Sequence, residues 1–161
     1  MATEQQRDGA AVRIVPPTVP LITVLVGVGL GYLWPIEIGV ALAAPARYGL
    51  GGGIVAGAIL ALGLWPILMF RRTGQNPEPW KPTPEIIAHG PYRLTRNPMY
   101  LMMVLICLGL AIMFWNLWIL LLTPVCAWVL QRFAILPEEA YLEAKFGDTY
   151  RAYKSRVRRW L

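Results

Sequence analysis

Four apolar runs, at residues 18–34, 50–70, 98–115 and 117–136, dominate the chain and leave only short polar pieces between them. Each approaches the roughly 20 residues that a helix needs to cross the hydrocarbon core of a bilayer. A mean hydropathy of +0.49 is more than a water-soluble domain of this size can hide in its interior, so lipid is the expected solvent. Open sheets are excluded, because lipid cannot satisfy unpaired strand edges. The expected fold is therefore all-α: one integral-membrane domain with four transmembrane helices. Residues 1–17 form a polar tail, 18–70 two spans, 71–97 a loop, 98–136 a helical hairpin and 137–161 a C-terminal segment.

The third and fourth runs are joined by so few residues that they must fold as an antiparallel hairpin, with Trp115 and Trp118 in the interfacial aromatic belt. Asn97 and Pro98 suit the start of the third helix, with the Asn side chain expected to cap free N–H groups. Pro66 falls inside the second run and is expected to kink it. The small residues from Gly51 to Gly63 allow close approach of another helix. Cys107 and Cys126 lie within apolar runs and read as small buried hydrophobes.

Four spans put the tail, the loop and the C-terminal segment on one side, which collects all 15 Lys and Arg except Arg47. That bias makes it the cytoplasmic side of a multi-pass protein, expected in a bacterial inner membrane. The net charge of +6 is read as facing anionic lipid, not nucleic acid. One histidine and no His/Cys cluster give no metal site. Residues 41–46 resemble a signal-peptide cleavage site, yet the preceding run is long enough to span and Glu37 separates the two, so an uncleaved span is expected. Glu37 itself reads as a headgroup-level residue.

Two polar pieces share the cytoplasmic face. One is "HGPYRLTRNPMY" at 89–100, and the other is "EEAYLEAKFGDTYRAY" at 138–153, an amphipathic stretch broken near Gly147. Together they can form a pocket for an amphiphilic cofactor. The start of the third helix offers free N–H groups to an anion, the glutamates can accept from a diol or an ammonium group, and tyrosine faces can meet a cation. Equally, Arg93 and Arg96 can bind lipid headgroups while Glu138 and Glu139 pair with them.

The two motifs, at this spacing, resemble the C-terminal signature of the isoprenylcysteine carboxyl methyltransferase and phospholipid methyltransferase superfamily of membrane enzymes, over residues 82–157. The resemblance implies a methyltransferase that uses S-adenosylmethionine and a lipophilic or small acceptor, a carboxylate, amine or thiol, at the cytoplasmic leaflet. It implies cofactor contacts from Pro84, Glu85, Ile86 and Ile87, from Tyr92, from Asn97, Pro98, Met99 and Tyr100, and from Glu138 with Glu139 as a helper. Many prenylcysteine enzymes have His where Asn97 stands, and carry an arginine where this chain has Ala134. Arg132 is the nearest substitute for binding a substrate carboxylate, on a different helical face, which argues against a prenylcysteine acceptor.

Methyl transfer from a sulfonium needs alignment more than a covalent nucleophile, and no catalytic base is assigned. His89, beside Gly-Pro, reads as a solvated loop residue. Two rival readings use the same residues: an NADPH-dependent membrane reductase of the sterol-reductase type, through the Arg-x-Pro-x-Tyr pattern, and a non-enzymatic lipid-binding protein, through the basic C-terminal segment.

Overall fold

The structure, a computed structural model, describes residues 9–36, 38–39, 42–72, 74, 78, 81 and 83–161; Glu37 and most of the tail and of the loop after residue 72 lie outside the described residues. All regular structure among them is helical. Helix α1 is Thr18–Leu33 and α2 is Ala44–Arg72. Helix α3 is Pro98–Phe114, α4 is Leu117–Phe146 and α5 is Asp148–Arg156. A short 3₁₀ turn, Gly90–Arg93, precedes α3.

Helices α2 and α4, of 29 and 30 residues, are long and apolar enough to cross a membrane; α1 and α3 are apolar but shorter, at 16 and 17 residues. Large side chains such as Leu21, Leu25, Leu60, Leu121 and Trp128 stand outward and are more than half exposed. A surface of this kind is costly in water and ordinary in lipid. Helix α2 starts six residues before the apolar run that announces it, because Ala44 and Pro45 are good first-turn residues even though the segment is weakly hydrophobic.

Both long helices contain a wide π turn, Ile59–Leu64 in α2 and Gln131–Ile135 in α4. Each lies just ahead of a proline, Pro66 and Pro137, whose ring would clash with the carbonyl four residues earlier in an unbroken α-helix. The expected kink at Pro66 is thus taken up by a change of helical pitch. Pro137 has no N–H to offer Phe133, and the Phe133 carbonyl instead accepts from the Arg13 N–H at 3.3 Å. The tail is consequently more than a polar extension: Val12 and Ile14 pack on the core, and Ala10 and Pro16 are buried.

Helix α2 packs along α3 where Gly51 and Gly109 bring the two backbones into direct contact, and α1 packs on α4 where a Cβ on Gly27 would lie 2.9 Å from the Ile119 backbone. Cys107, Cys126, Leu130, Ala134 and Ile135 form the buried centre, with both cysteines fully enclosed as small apolar groups. The α3–α4 hairpin is as tight as its sequence requires. Trp115 adopts a left-handed conformation (φ 51°), and the Asn116 carbonyl oxygen of the side chain accepts from the Ile119 N–H at 3.1 Å. The Asn116 amide also donates to the Gly27 carbonyl at 3.2 Å, fixing the hairpin tip to α1.

Candidate functional site

The site lies where the turn before α3 meets the polar end of α4 and helix α5. Gly90 enters that turn with φ 59°, and a Cβ there would approach the Met69 sulfur to 2.9 Å, so glycine meets both the torsion and the close passage against α2. The turn places the Tyr92 ring edge-on to Phe70, with centroids 6.2 Å apart. Thr95, fully buried, donates to the Arg159 carbonyl at 2.9 Å and accepts from the Asn97 N–H at 3.1 Å. Asn97 does not cap α3 as expected. Its side-chain amide donates instead to the Arg159 carbonyl at 3.0 Å, drawn away by an acceptor that only the folded segment after α5 provides.

The apolar part of α4 ends at Leu136, and Glu138 and Glu139 follow immediately in its polar continuation. Glu138 accepts from the Tyr100 hydroxyl at 2.8 Å. Burial pushes the Glu138 carboxyl up to about 7; the Tyr100 hydrogen bond opposes this, and neighbouring Glu139 adds to it. Glu139 is buried and is met by two guanidiniums. Its Oε1 lies 3.0 Å from Arg96 Nη2, while Arg159 grips both oxygens at 3.1 and 2.8 Å. Arg96 also donates through Nη1 to the Lys154 carbonyl at 3.2 Å, but its Nε is buried with no hydrogen-bond partner.

Gly147, at φ 52° and ψ −123°, ends α4 and turns the chain so that α5 returns its tyrosines to the site. Tyr150 and Tyr153 are buried, and Tyr153 donates to the Tyr92 carbonyl at 2.7 Å. Burial pushes the Tyr153 phenol up to about 12 and those of Tyr92 and Tyr150 further, so all three remain neutral hydroxyls at physiological pH.

Two chambers meet at this junction. A small one of about 70 Å³ is lined by Glu85, Ile86, Ile87 and Glu139 together with Tyr150 and Tyr153. A larger one of about 430 Å³ runs between α2 and α3 and is lined by apolar side chains, among them Ile59, Leu64, Ile67, Met99, Met102 and Met103. Phe70, Glu78, Tyr92, Arg96, Asn97 and Glu138 border both.

Of the residues singled out in the sequence, Glu85, Ile86, Ile87, Tyr92, Asn97, Pro98, Met99, Tyr100, Glu138 and Glu139 come together around these chambers. Pro84 and Arg132 do not. Pro84 is exposed, and Arg132 is exposed beside the Phe133 ring, in a wide turn whose buried residues are Ala134 and Ile135. Arg96, Tyr150, Tyr153 and Arg159 join the site without having been singled out for it. Tyr150 and Tyr153 fall in the stretch whose pattern is amphipathic, but nothing in the linear pattern paired Arg159 with Glu139.

Fold and site together define an all-helical protein, among its described residues, with two helices long and apolar enough to cross a membrane and an amphiphilic cavity between them and the C-terminal helices. The chain belongs to the phospholipid methyltransferase family, whose model matches residues 40–149. That match reaches further toward the N-terminus than the motifs at 82–157 and takes in all of α2. The family implies a membrane methyltransferase. An uncharacterized protein of Haemophilus influenzae is 46% identical over 71 residues, which is 39% of this chain and 100% of that protein. No solved structure matches the chain.

Proposed function

We propose that the protein is an S-adenosylmethionine-dependent methyltransferase with four membrane spans, acting on a lipophilic or small acceptor at the cytoplasmic leaflet. The observation that carries this reading is the Tyr100–Glu138 hydrogen bond, which sits on the border between a polar chamber and an apolar one. A site that must hold a charged cofactor beside an oily acceptor needs such a border.

The residues present suit the cofactor. It carries an ammonium group, a carboxylate, a ribose diol and an adenine beside its sulfonium. Glu138 provides an acceptor for the ammonium or the diol, and the unpartnered Nε of buried Arg96 provides a donor for the carboxylate. Tyr92, Tyr150 and Tyr153 supply aromatic faces, and Ile86 and Ile87 apolar surface for a base. When bound, the cofactor supplies a methyl group that leaves its sulfonium by in-line displacement. The chain's own contribution is positional. Glu138 and Tyr100 hold the polar end of the site, the methionines and Ile67 enclose the apolar body of the acceptor, and the neutral tyrosines exclude water. No residue is assigned as a base. The acceptor is a carboxylate, an amine or a thiol on a molecule with enough apolar surface to occupy the larger chamber, and membrane lipid is the source of its surroundings. The setting is a bacterial inner membrane with the loop and both ends of the chain cytoplasmic.

Titration of the purified protein with S-adenosylmethionine and S-adenosylhomocysteine tests the reading directly. Saturable binding of both is expected; absence of heat from either at millimolar concentration would rule it out.

A further inference from the structure

We infer that Arg159 is a positioning residue for the polar chamber: by occupying both oxygens of Glu139 it keeps that carboxylate from closing a two-point grip on Arg96, and so leaves Arg96 Nε available to a ligand carboxylate. The inference rests on the methyltransferase reading above, which supplies the ligand.

Three observations lead to it. Glu139 is buried, and of the two guanidiniums around it the one that takes the fork is Arg159, with Nε at 3.1 Å from Oε1 and Nη2 at 2.8 Å from Oε2. Arg96 borders both chambers and reaches Glu139 through Nη2 alone, at 3.0 Å, while its Nε is buried without a hydrogen-bond partner. The natural pairing of a carboxylate with an arginine is bidentate, so an unopposed Glu139 would rotate to take the Arg96 Nε as well. The backbone around Arg159 reinforces the arrangement. The Arg158 carbonyl accepts from the Arg96 N–H at 2.9 Å, and the Arg159 carbonyl accepts from Thr95 and Asn97, at 2.9 and 3.0 Å, so the segment brackets Arg96 on both sides. Those carbonyl bonds belong to the main chain and survive replacement of the Arg159 side chain. What such a replacement changes is the partner of Glu139.

A merely structural role for Arg159 would lower the affinity of every ligand alike. Competition between guanidiniums for Glu139 predicts selectivity instead. The probes are S-adenosylhomocysteine, which carries the amino-acid carboxylate, and 5′-methylthioadenosine, which lacks it. In Arg159→Ala, affinity for S-adenosylhomocysteine should fall about tenfold or more, as expected for losing a charge-assisted bond, while methylthioadenosine binding should stay within about twofold. Arg159→Lys keeps a cation on Glu139 without the fork and should show a smaller loss of the same kind, which covers the event that the alanine variant does not fold. In an Arg96→Gln background the Arg159→Ala change should have no further effect on S-adenosylhomocysteine.

Equal losses for both probes, unchanged affinity in folded Arg159→Ala, or additive effects of the Arg96 and Arg159 changes would each overturn the inference. Those outcomes leave the methyltransferase reading standing, because the unsubstituted protein still binds the cofactor; only its failure to bind S-adenosylhomocysteine would bring both down.

Discussion

Tyr100, in the first turn of α3, donates to Glu138, two residues past the apolar part of α4, across 2.8 Å. The bond spans 38 residues of sequence and closes the polar end of the cavity between α2 and α3. It also exposes the carboxylate to two opposed influences, a donor that favours its charge and a buried setting that does not.

Replacing Tyr100 by Phe removes the donor and leaves its packing. Losing one hydrogen bond to a partly buried acceptor costs about 0.5–1.5 kcal/mol, so thermal unfolding in detergent should show a loss of that order. The Glu138 carboxyl, deprived of the hydrogen bond that opposes its upward shift, should titrate higher than in the unsubstituted protein. An unchanged unfolding temperature would mean that the bond does not form in solution.

Glu138 gives the protein a pH dependence of known sign. In the folded state it titrates near 7, against an ordinary value of 4.5, so the folded protein holds this proton more tightly than the unfolded chain does. Its contribution to stability is therefore greatest below about 4.5 and declines as pH rises through 7, by on the order of 3 kcal/mol. A cation bound against the carboxylate reverses the preference. Cofactor affinity should rise as pH increases through about 7, and binding below that point should release a proton. Calorimetry in buffers of differing ionisation enthalpy measures that release, and Glu138→Gln should abolish it. Affinity that falls with rising pH would place the cofactor's cationic groups elsewhere.

Much of this arrangement is written in the linear pattern, and the limits of that pattern are physical. The apolar runs announce the helices because lipid demands uninterrupted hydrophobicity, and Trp115-Asn116 can only be a hairpin tip. Gly147 marks a break because helical spacing resumes on its far side. The pairing of Tyr100 with Glu138 follows once both lie at the same end of antiparallel helices. Pitch changes at Ile59–Leu64 and Gln131–Ile135 are harder to see, since they answer to Pro66, which sequence alone reads as a kink, and to Pro137, which it reads only as the end of an apolar run. Asn97 shows the same limit from another side: it has the composition of a cap, yet a carbonyl 62 residues away captures it. The fork of Arg159 on Glu139 depends on that same tertiary return and has no local signature.

Gly63 separates the roles of the two chambers. It lies in the wide turn of α2 against the Met102 sulfur, and a methyl group there would have to displace that flexible side chain into the apolar chamber. Gly63→Ala should leave S-adenosylhomocysteine affinity within about twofold, since the polar chamber is untouched. Transfer of labelled methyl groups into a lipid extract should fall by about fivefold or more, the scale on which small changes of shape in an apolar pocket act. Equal loss of both activities would show that the larger chamber is occupied by cofactor.

Gly147 tests whether the course of α5 matters to the site. Its φ of 52° with ψ of −123° suits glycine, and a Cβ there would touch nothing within 4 Å, so any penalty for Gly147→Ala comes from the backbone alone. Such strain costs about 1–3 kcal/mol, and the chain can relieve it by turning α5 away. Relief would withdraw Tyr150 and Tyr153 and break the bond from Tyr153 to the Tyr92 carbonyl. The variant should therefore unfold at lower temperature and also bind S-adenosylhomocysteine more weakly. Gly53→Ala is the control, because Gly53 is helical with open space around its Cα and should gain about 0.5–1 kcal/mol from the added helix propensity. If Gly147→Ala loses stability and retains full affinity, α5 is a support for the fold and not a wall of the site.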